Sequence, residues 1–145
     1  MNVFDCIVIG GGPAGLSASL TLGRARRVIA LFDDGTNRNR VTQASHGFIT
    51  RDGIKPQEFK ELGLKELEHY PSILYFRKTV IDILKKDELF IVKTMNGQEF
   101  STEKILLATG IQEEFSIPSI RDFYGKSLFS CPYCDGWEQR DKPLV

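Results

Sequence analysis

The sequence predicts an α/β fold: a parallel sheet with helices, an antiparallel β-meander inserted into it, and an incomplete C-terminal end. Three observations carry that reading. Residues 3–9 and 28–32 are short, almost wholly apolar runs, as parallel strands buried on both faces should be. The turn Gly10-Gly11-Gly12-Pro13-Ala14-Gly15 links the first run to a helical segment. Residues 73–102 then break into short strands separated by turn signals, among them the hairpin-forming Asn96-Gly97.

Taken in order, residues 3–9 form the first strand, and Pro13 falls where a first helical turn tolerates proline. Residues 14–25 read as a helix rich in small residues, with Leu16, Leu20 and Gly23 on neighbouring faces. Residues 28–32 form a second buried strand closed by Asp33-Asp34-Gly35, which completes a βαβ unit. Residues 36–54 are a long polar loop holding Arg38, Asn39, Arg40 and His46, and loops of that length in a compact domain tend to be functional or disordered. Helical spacing of Phe59, Leu62, Leu64 and Leu67 predicts a helix over 56–68. Strands at 73–76, 79–84, 89–94 and 99–102 make the meander, and 104–108 reads as another buried strand running into Thr109-Gly110. Residues 111–126 look like a linker or crossover, and 143–145 like the opening of one more strand.

Composition narrows the function classes. With 19 basic and 19 acidic residues in a chain of 145, no net field draws it to nucleic acid or to an anionic membrane. No apolar run approaches the roughly 20 residues of a membrane span. The N-terminus lacks the layout of a signal peptide, so a cytoplasmic protein is expected. Cys6 lies inside an apolar strand and is expected to be a buried small hydrophobe. The other two of the three cysteines form Cys131-Pro132-Tyr133-Cys134. In a reducing compartment such a pair is catalytic or metal-binding rather than structural. A structural zinc site wants four ligands and the pair offers two, so no metal is expected.

The glycine turn carries the first chemical signal. Gly10 permits a tight turn, Gly12 lets the backbone approach a pyrophosphate, and Gly15 allows close helix–strand packing. The phosphates would sit at the helix N-terminus, beside Pro13 and Ala14. An acid closing the second strand suits a ribose hydroxyl; Asp33 is the better placed, Asp34 the second choice. The fingerprint serves FAD and NAD alike, making this a Rossmann-like dinucleotide fold. Two cysteines at this spacing also suit a helix N-terminus, where one thiol is favoured as thiolate. Tyr133 and Trp137 flank the pair and either pack around it or offer a surface to a partner, with packing the preferred reading.

Together, Gly10 to Gly15, Asp33, the 102–110 segment and Cys131-Pro132-Tyr133-Cys134-Asp135-Gly136 resemble the thioredoxin reductase-like flavoproteins, a group that includes small-molecule dithiol oxidases. The resemblance runs collinearly along essentially the whole chain. It implies FAD bound at the glycine turn, Thr109 and Gly110 lining the cofactor, and the stretch from Asp33 through Arg38 and Asn39 closing over it. It implies that Cys134 exchanges electrons with the flavin, that Cys131 meets the substrate, and that Asp135 carries the proton. The domains it implies are an FAD-binding part over 1–112, and over 113–145 a crossover and the start of an NADPH-type domain carrying the cysteine pair. The chain would then be the N-terminal half of a protein of roughly double its size. NADPH is the implied reductant of the complete enzyme, and oxygen the electron acceptor of an oxidase variant. A thioredoxin-like protein or a small dithiol or disulfide is the implied partner, in a homodimer. A non-catalytic flavin- or nucleotide-binding fragment or assembly partner is the alternative.

Overall fold

The computed structural model describes residues 3–143, so Leu144 and Val145 of the strand expected at 143–145 lie outside the described residues. The chain forms two compact units: Met1–Asn37 with Lys60–Ile111, and Arg38–Phe59 with Gln112–Val145.

The first unit is a single six-stranded sheet. Its strands are β1 (Phe4–Ile9), β2 (Ile29–Phe32), β3 (Ile73–Phe76), β4 (Val80–Lys86), β5 (Leu89–Thr94) and β6 (Glu99–Leu107). They lie in the order β3-β2-β1-β6-β5-β4. β1 is central and parallel to both β2 and β6, which explains why its sequence is apolar at every position but Asp5, whose carboxylate accepts from the Val28 N–H at 2.6 Å. Helix α1 (Pro13–Arg24) packs on β1 and β2, with Pro13 in its first turn as expected. Helix α2 (Pro56–Leu67) precedes β3.

Two expectations for the sheet need correction. The strand at 73–76 is not part of the meander; β3 adds to the free edge of β2 in parallel register, with Phe76 opposite Phe32. Their rings stack at 5.0 Å and both meet Phe100, at 5.2 and 4.9 Å. That aromatic cluster explains the placement, since burying a phenylalanine contributes about 2–3 kcal/mol. Secondly, the strands expected at 99–102 and 104–108 are one nine-residue strand, β6. The polar run Ser101-Thr102-Glu103-Lys104 looked like an interruption. Thr102 instead sits fully buried, its hydroxyl donating to the Phe4 carbonyl at 3.1 Å and the Lys104 carbonyl at 2.9 Å. The first half of β6 pairs antiparallel with β5, and its length from Thr102 onward pairs parallel with β1. Its end is not the buried strand expected, because Leu107 is 65% exposed.

The second unit is mostly irregular. A 3-10 turn at Arg38–Val41 opens the loop expected over 36–54, and a bridge between Ser45 and Ile54 closes it. Phe48 packs on Phe59 at 4.9 Å. The segment after Gln112 holds a second 3-10 turn, Pro118–Asp122, and a one-turn helix α3, Pro132–Asp135. Among the described residues no helix is long and apolar enough to cross a membrane.

Candidate functional site

In the first unit, three segments converge where β1 gives way to α1. Gly10 has φ +110, and a Cβ there would lie 2.2 Å from the Ala108 carbonyl oxygen and 3.0 Å from the Thr109 nitrogen. The stretch ending β6, with Thr109 and Gly110, is therefore brought against the glycine turn. A Cβ on Gly15 would lie 1.8 Å from the Gly10 carbonyl oxygen, so only glycine lets α1 approach β1 this closely. Gly12 is different: a Cβ there would meet nothing within 4 Å. Gly12 is also the N-cap of α1, with no side chain capping the helix and no acid in its first turn. Free N–H groups beside open backbone form a cradle for a phosphate anion, so the residues present fit a dinucleotide pyrophosphate.

The acids that close β2 have distinct surroundings. Asp33 is buried; its Oδ1 accepts from the Gly11 N–H at 3.2 Å, while its Oδ2 faces the Lys60 ammonium and accepts from the Tyr75 hydroxyl at 3.3 Å. Asp33 thereby ties the glycine turn to α2 and β3. Burial pushes the Tyr75 hydroxyl up, and the Asp33 charge adds to that. Asp34 instead makes a tight local turn, accepting from the Thr36 N–H at 2.9 Å and the Thr36 hydroxyl at 2.7 Å. Burial works to raise its carboxyl, but these bonds and the Lys60 charge prevail and hold it below the ordinary carboxylate range. Lys60 and Tyr75 carried no signal in the sequence, because their relation to Asp33 exists only once α2 and β3 are in place.

In the second unit, Cys131 and Cys134 are joined by a disulfide, their Cα atoms 5.3 Å apart. Cys131 is the extended N-cap of α3, and the Cys134 N–H donates to its sulfur at 3.2 Å. Four residues make too short a helix for a full macrodipole, so the donor at the Cys131 sulfur is this one adjacent N–H. Cys131 is half-buried and Cys134 exposed. Tyr133 and Trp137 do not pack around the pair as expected. They are 97% and 72% exposed, and Trp137 carries the Arg140 guanidinium over its ring at 4.4 Å.

Two groups of polar side chains surround this dithiol segment. His46 stands with Nδ1 3.4 Å from an Asp52 carboxylate oxygen and Nε2 3.5 Å from one of Glu138. Asp135 is half-buried; burial raises its carboxyl above the ordinary value, the Glu138 charge adds to the rise, and His46 opposes it. Arg38 meets Glu113 at 2.5 Å and Tyr124 at 3.2 Å, and also bonds the Ser130 hydroxyl, one residue before Cys131. The Glu113 bond pushes the guanidinium still higher, while Tyr124 and then Arg38 hold the Glu113 carboxyl down. A cleft of about 320 Å³ opens beside these residues, lined by Glu113, Phe115, Tyr124, Leu128, Phe129 and Ser130. Asn39 follows Arg38 in the same 3-10 turn. Among the described residues no group of three histidine, cysteine or acidic side chains could hold a metal ion.

A family profile described as pyridine nucleotide-disulphide oxidoreductase matches residues 4–145. The chain belongs to that family. Within the pyridine nucleotide-disulphide oxidoreductases it is thioredoxin reductase-like. A protein of Arthroderma benhamiae named as a thioredoxin reductase is 38% identical over 148 residues, which cover 97% of this chain and 37% of the relative. Thioredoxin reductase sirT of Leptosphaeria maculans is 35% identical over 145 residues, 96% of this chain and 44% of its own length. Among solved structures, a Bacillus anthracis protein assigned as thioredoxin reductase TrxB superposes with a TM-score of 0.94 at 66% identity, over 97% of this chain and 48% of that one. The chain thus spans less than half the length of each of these relatives. The fold expected from the sequence, a parallel core extended by an antiparallel meander, is the fold found.

Proposed function

We propose that this chain is the flavin-binding and dithiol-bearing part of a thiol–disulfide oxidoreductase. The observation that carries this reading is the pairing, in one chain, of an uncapped glycine cradle with a disulfide-linked Cys131–Cys134. Residues 1–112 would hold FAD, with Gly10, Gly12, Pro13, Ala14 and Gly15 around the pyrophosphate and Thr109 and Gly110 beside the cofactor. Asp33 would meet the ribose through whichever of its lone pairs Gly11, Lys60 and Tyr75 leave open, with Asp34 as the second acid. Arg38 and Asn39 would shape the loop that closes over the cofactor. Bound FAD supplies a carrier of two electrons. Residues 113–145 would bring the dithiol: Cys134, the more exposed cysteine, exchanges electrons with the cofactor, Cys131 meets the substrate, and Asp135 holds the proton.

The whole protein would draw electrons from NADPH and pass them to a thioredoxin-like protein or a small disulfide, as a homodimer. The names of its relatives favour this over the oxidation of small dithiols by oxygen. The purified 145-residue chain should carry the visible absorbance of FAD, and anaerobic dithiothreitol should bleach it. Cys134→Ser should retain the flavin and resist bleaching. A colourless chain overturns the cofactor assignment, and bleaching that persists in Cys134→Ser overturns the electron path.

A further inference from the structure

We propose that Arg38 is a positioning residue for the dithiol: through the Ser130 hydroxyl it fixes the main chain entering Cys131 and so keeps the two sulfurs within reach of each other when the disulfide is open. This rests on the reading of Cys131–Cys134 as a redox pair. Arg38 opens the loop of the second unit, and its partners Glu113, Tyr124 and Ser130 lie in the segment of that same unit that leads to the cysteines.

Four side chains close into one ring of hydrogen bonds. The Arg38 Nε–H is shared between Glu113 Oε1, at 2.6 Å, and the Tyr124 hydroxyl oxygen, at 3.2 Å, while Nη2 donates to Ser130 Oγ. Tyr124 gives its single proton to the same Glu113 oxygen, at 2.7 Å. At the 3.3 Å contact between Tyr124 and Ser130, the donor is therefore Ser130. One arrangement of protons satisfies every group, and the opposite charges of Arg38 and Glu113 strengthen it. Tyr124 is itself anchored. Its ring packs on Phe115 at 5.2 Å, and its turn closes with the Gly125 N–H donating to the Leu128 carbonyl at 2.9 Å. Ser130 is thereby tied to both Arg38 and Tyr124.

The cysteine pair needs such an anchor. Cys131 is extended, φ −137 and ψ 112, and caps a helix of only four residues, Pro132–Asp135. The bonds that define this turn run from the Cys134 and Asp135 N–H groups to the Cys131 carbonyl, both at 3.2 Å, and from the Gly136 N–H to the Pro132 carbonyl at 2.9 Å. A helix this short does not persist by itself in water. While the disulfide is closed, it holds the turn together. Once the sulfurs are thiols, the turn keeps its shape only as far as the chain entering it is held, and Ser130 is the residue next to Cys131. Fixing that entry raises the effective concentration of one thiol for the other. It favours the disulfide and makes the pair a weaker oxidant.

The test is the equilibrium of the 145-residue chain with reduced and oxidised glutathione at pH 7, the products quenched with acid and counted by alkylation in urea. Two glutathione thiols give up two electrons and two protons and form one disulfide. The Cys131–Cys134 bond breaks, and the pair takes up both electrons and both protons as two thiols. Cys6 adds one alkyl group to either form. Arg38→Met should shift the equilibrium towards the reduced pair by roughly fivefold, the weight of one ordinary hydrogen bond, which converts to about 20 mV. Ser130→Ala should give the same shift with no change of charge, and the double variant should add nothing further. A merely structural role would lower the urea midpoint and leave the redox equilibrium where it was. If the wild-type pair does not exchange with glutathione, the redox reading fails and this inference falls with it. If it exchanges and Ser130→Ala titrates as wild type, this inference alone is overturned, because a shift confined to Arg38→Met would be an effect of its charge.

Discussion

Gly12→Ala and Gly15→Ala test the glycine cradle because the same added methyl should have opposite effects three residues apart. At Gly12 the backbone is extended, φ −76 and ψ −177, and a Cβ meets nothing within 4 Å. Alanine is a poorer N-cap than glycine, so stability should fall by less than about 1 kcal/mol. The methyl would stand where a pyrophosphate approaches. Losing two charge-assisted hydrogen bonds of about 1.5 kcal/mol each amounts to about 3 kcal/mol, which is roughly 150-fold in Kd. At Gly15 the Cβ would lie 1.8 Å from the Gly10 carbonyl oxygen and 3.0 Å from its carbon. These are backbone atoms, so α1 must move off β1 by more than an ångström. Overpacking of this kind costs about 3 kcal/mol, against about 1 kcal/mol gained in helix propensity; the net is roughly 2 kcal/mol of lost stability. Urea denaturation gives the stability of each variant, and titration with FAD followed by flavin fluorescence gives the affinity. The reasoning is refuted if Gly12→Ala binds FAD as wild type does, or if it unfolds as readily as Gly15→Ala.

Lys60→Gln should destabilise the first unit by about 3 kcal/mol, because it leaves the buried Asp33 carboxylate without its cation; a urea midpoint equal to wild type would contradict this. Cys6 is buried with its thiol pushed up, first of all by that burial, and so should resist iodoacetamide in the folded, oxidised chain and react only once urea unfolds it. Asp34, Asp52 and Glu113 are held below their ordinary values, so they contribute stability above about pH 4 that is lost as pH falls through their folded values. Asp135, raised, acts in the opposite sense and loses its contribution as pH rises. The urea midpoint should therefore drop between pH 6 and pH 3, and a flat profile would count against these networks.

Much of the first unit was legible because its signals are local. β2 is an unbroken apolar run and β1 is apolar but for Asp5, the glycine turn sits between a strand and a helix, and Asn96-Gly97 marks the β5–β6 hairpin. β6 divides into two strands on sequence alone, with a break at Glu103, because nothing local shows that the buried Thr102 beside it bonds the Phe4 carbonyl ninety-eight residues away. β3 was assigned to the wrong neighbours because nothing in its four residues says which strand edge it meets; Phe32 decides that. The dithiol was plain from its spacing. Its surroundings were not: His46 lies in a polar loop, and its relation to Glu138 depends on how that loop folds. Tyr133 and Trp137 were expected to pack because large aromatics usually do, yet both stand largely in solvent.

The dual pairing of β6 makes it a seam between two kinds of sheet. Its antiparallel edge belongs to the hairpin, while its parallel edge ends with Leu107 opposite Ile9, immediately before Ala108 meets Gly10. The hairpin is therefore a brace rather than an appendage. Unzipping β5 would strip one whole ladder from the strand that props the phosphate-binding turn. Amide exchange in β5 and β6 should accordingly rise and fall with that of β1, as one cooperative opening, so that a lesion far out on the hairpin is felt at the cofactor's end of the sheet.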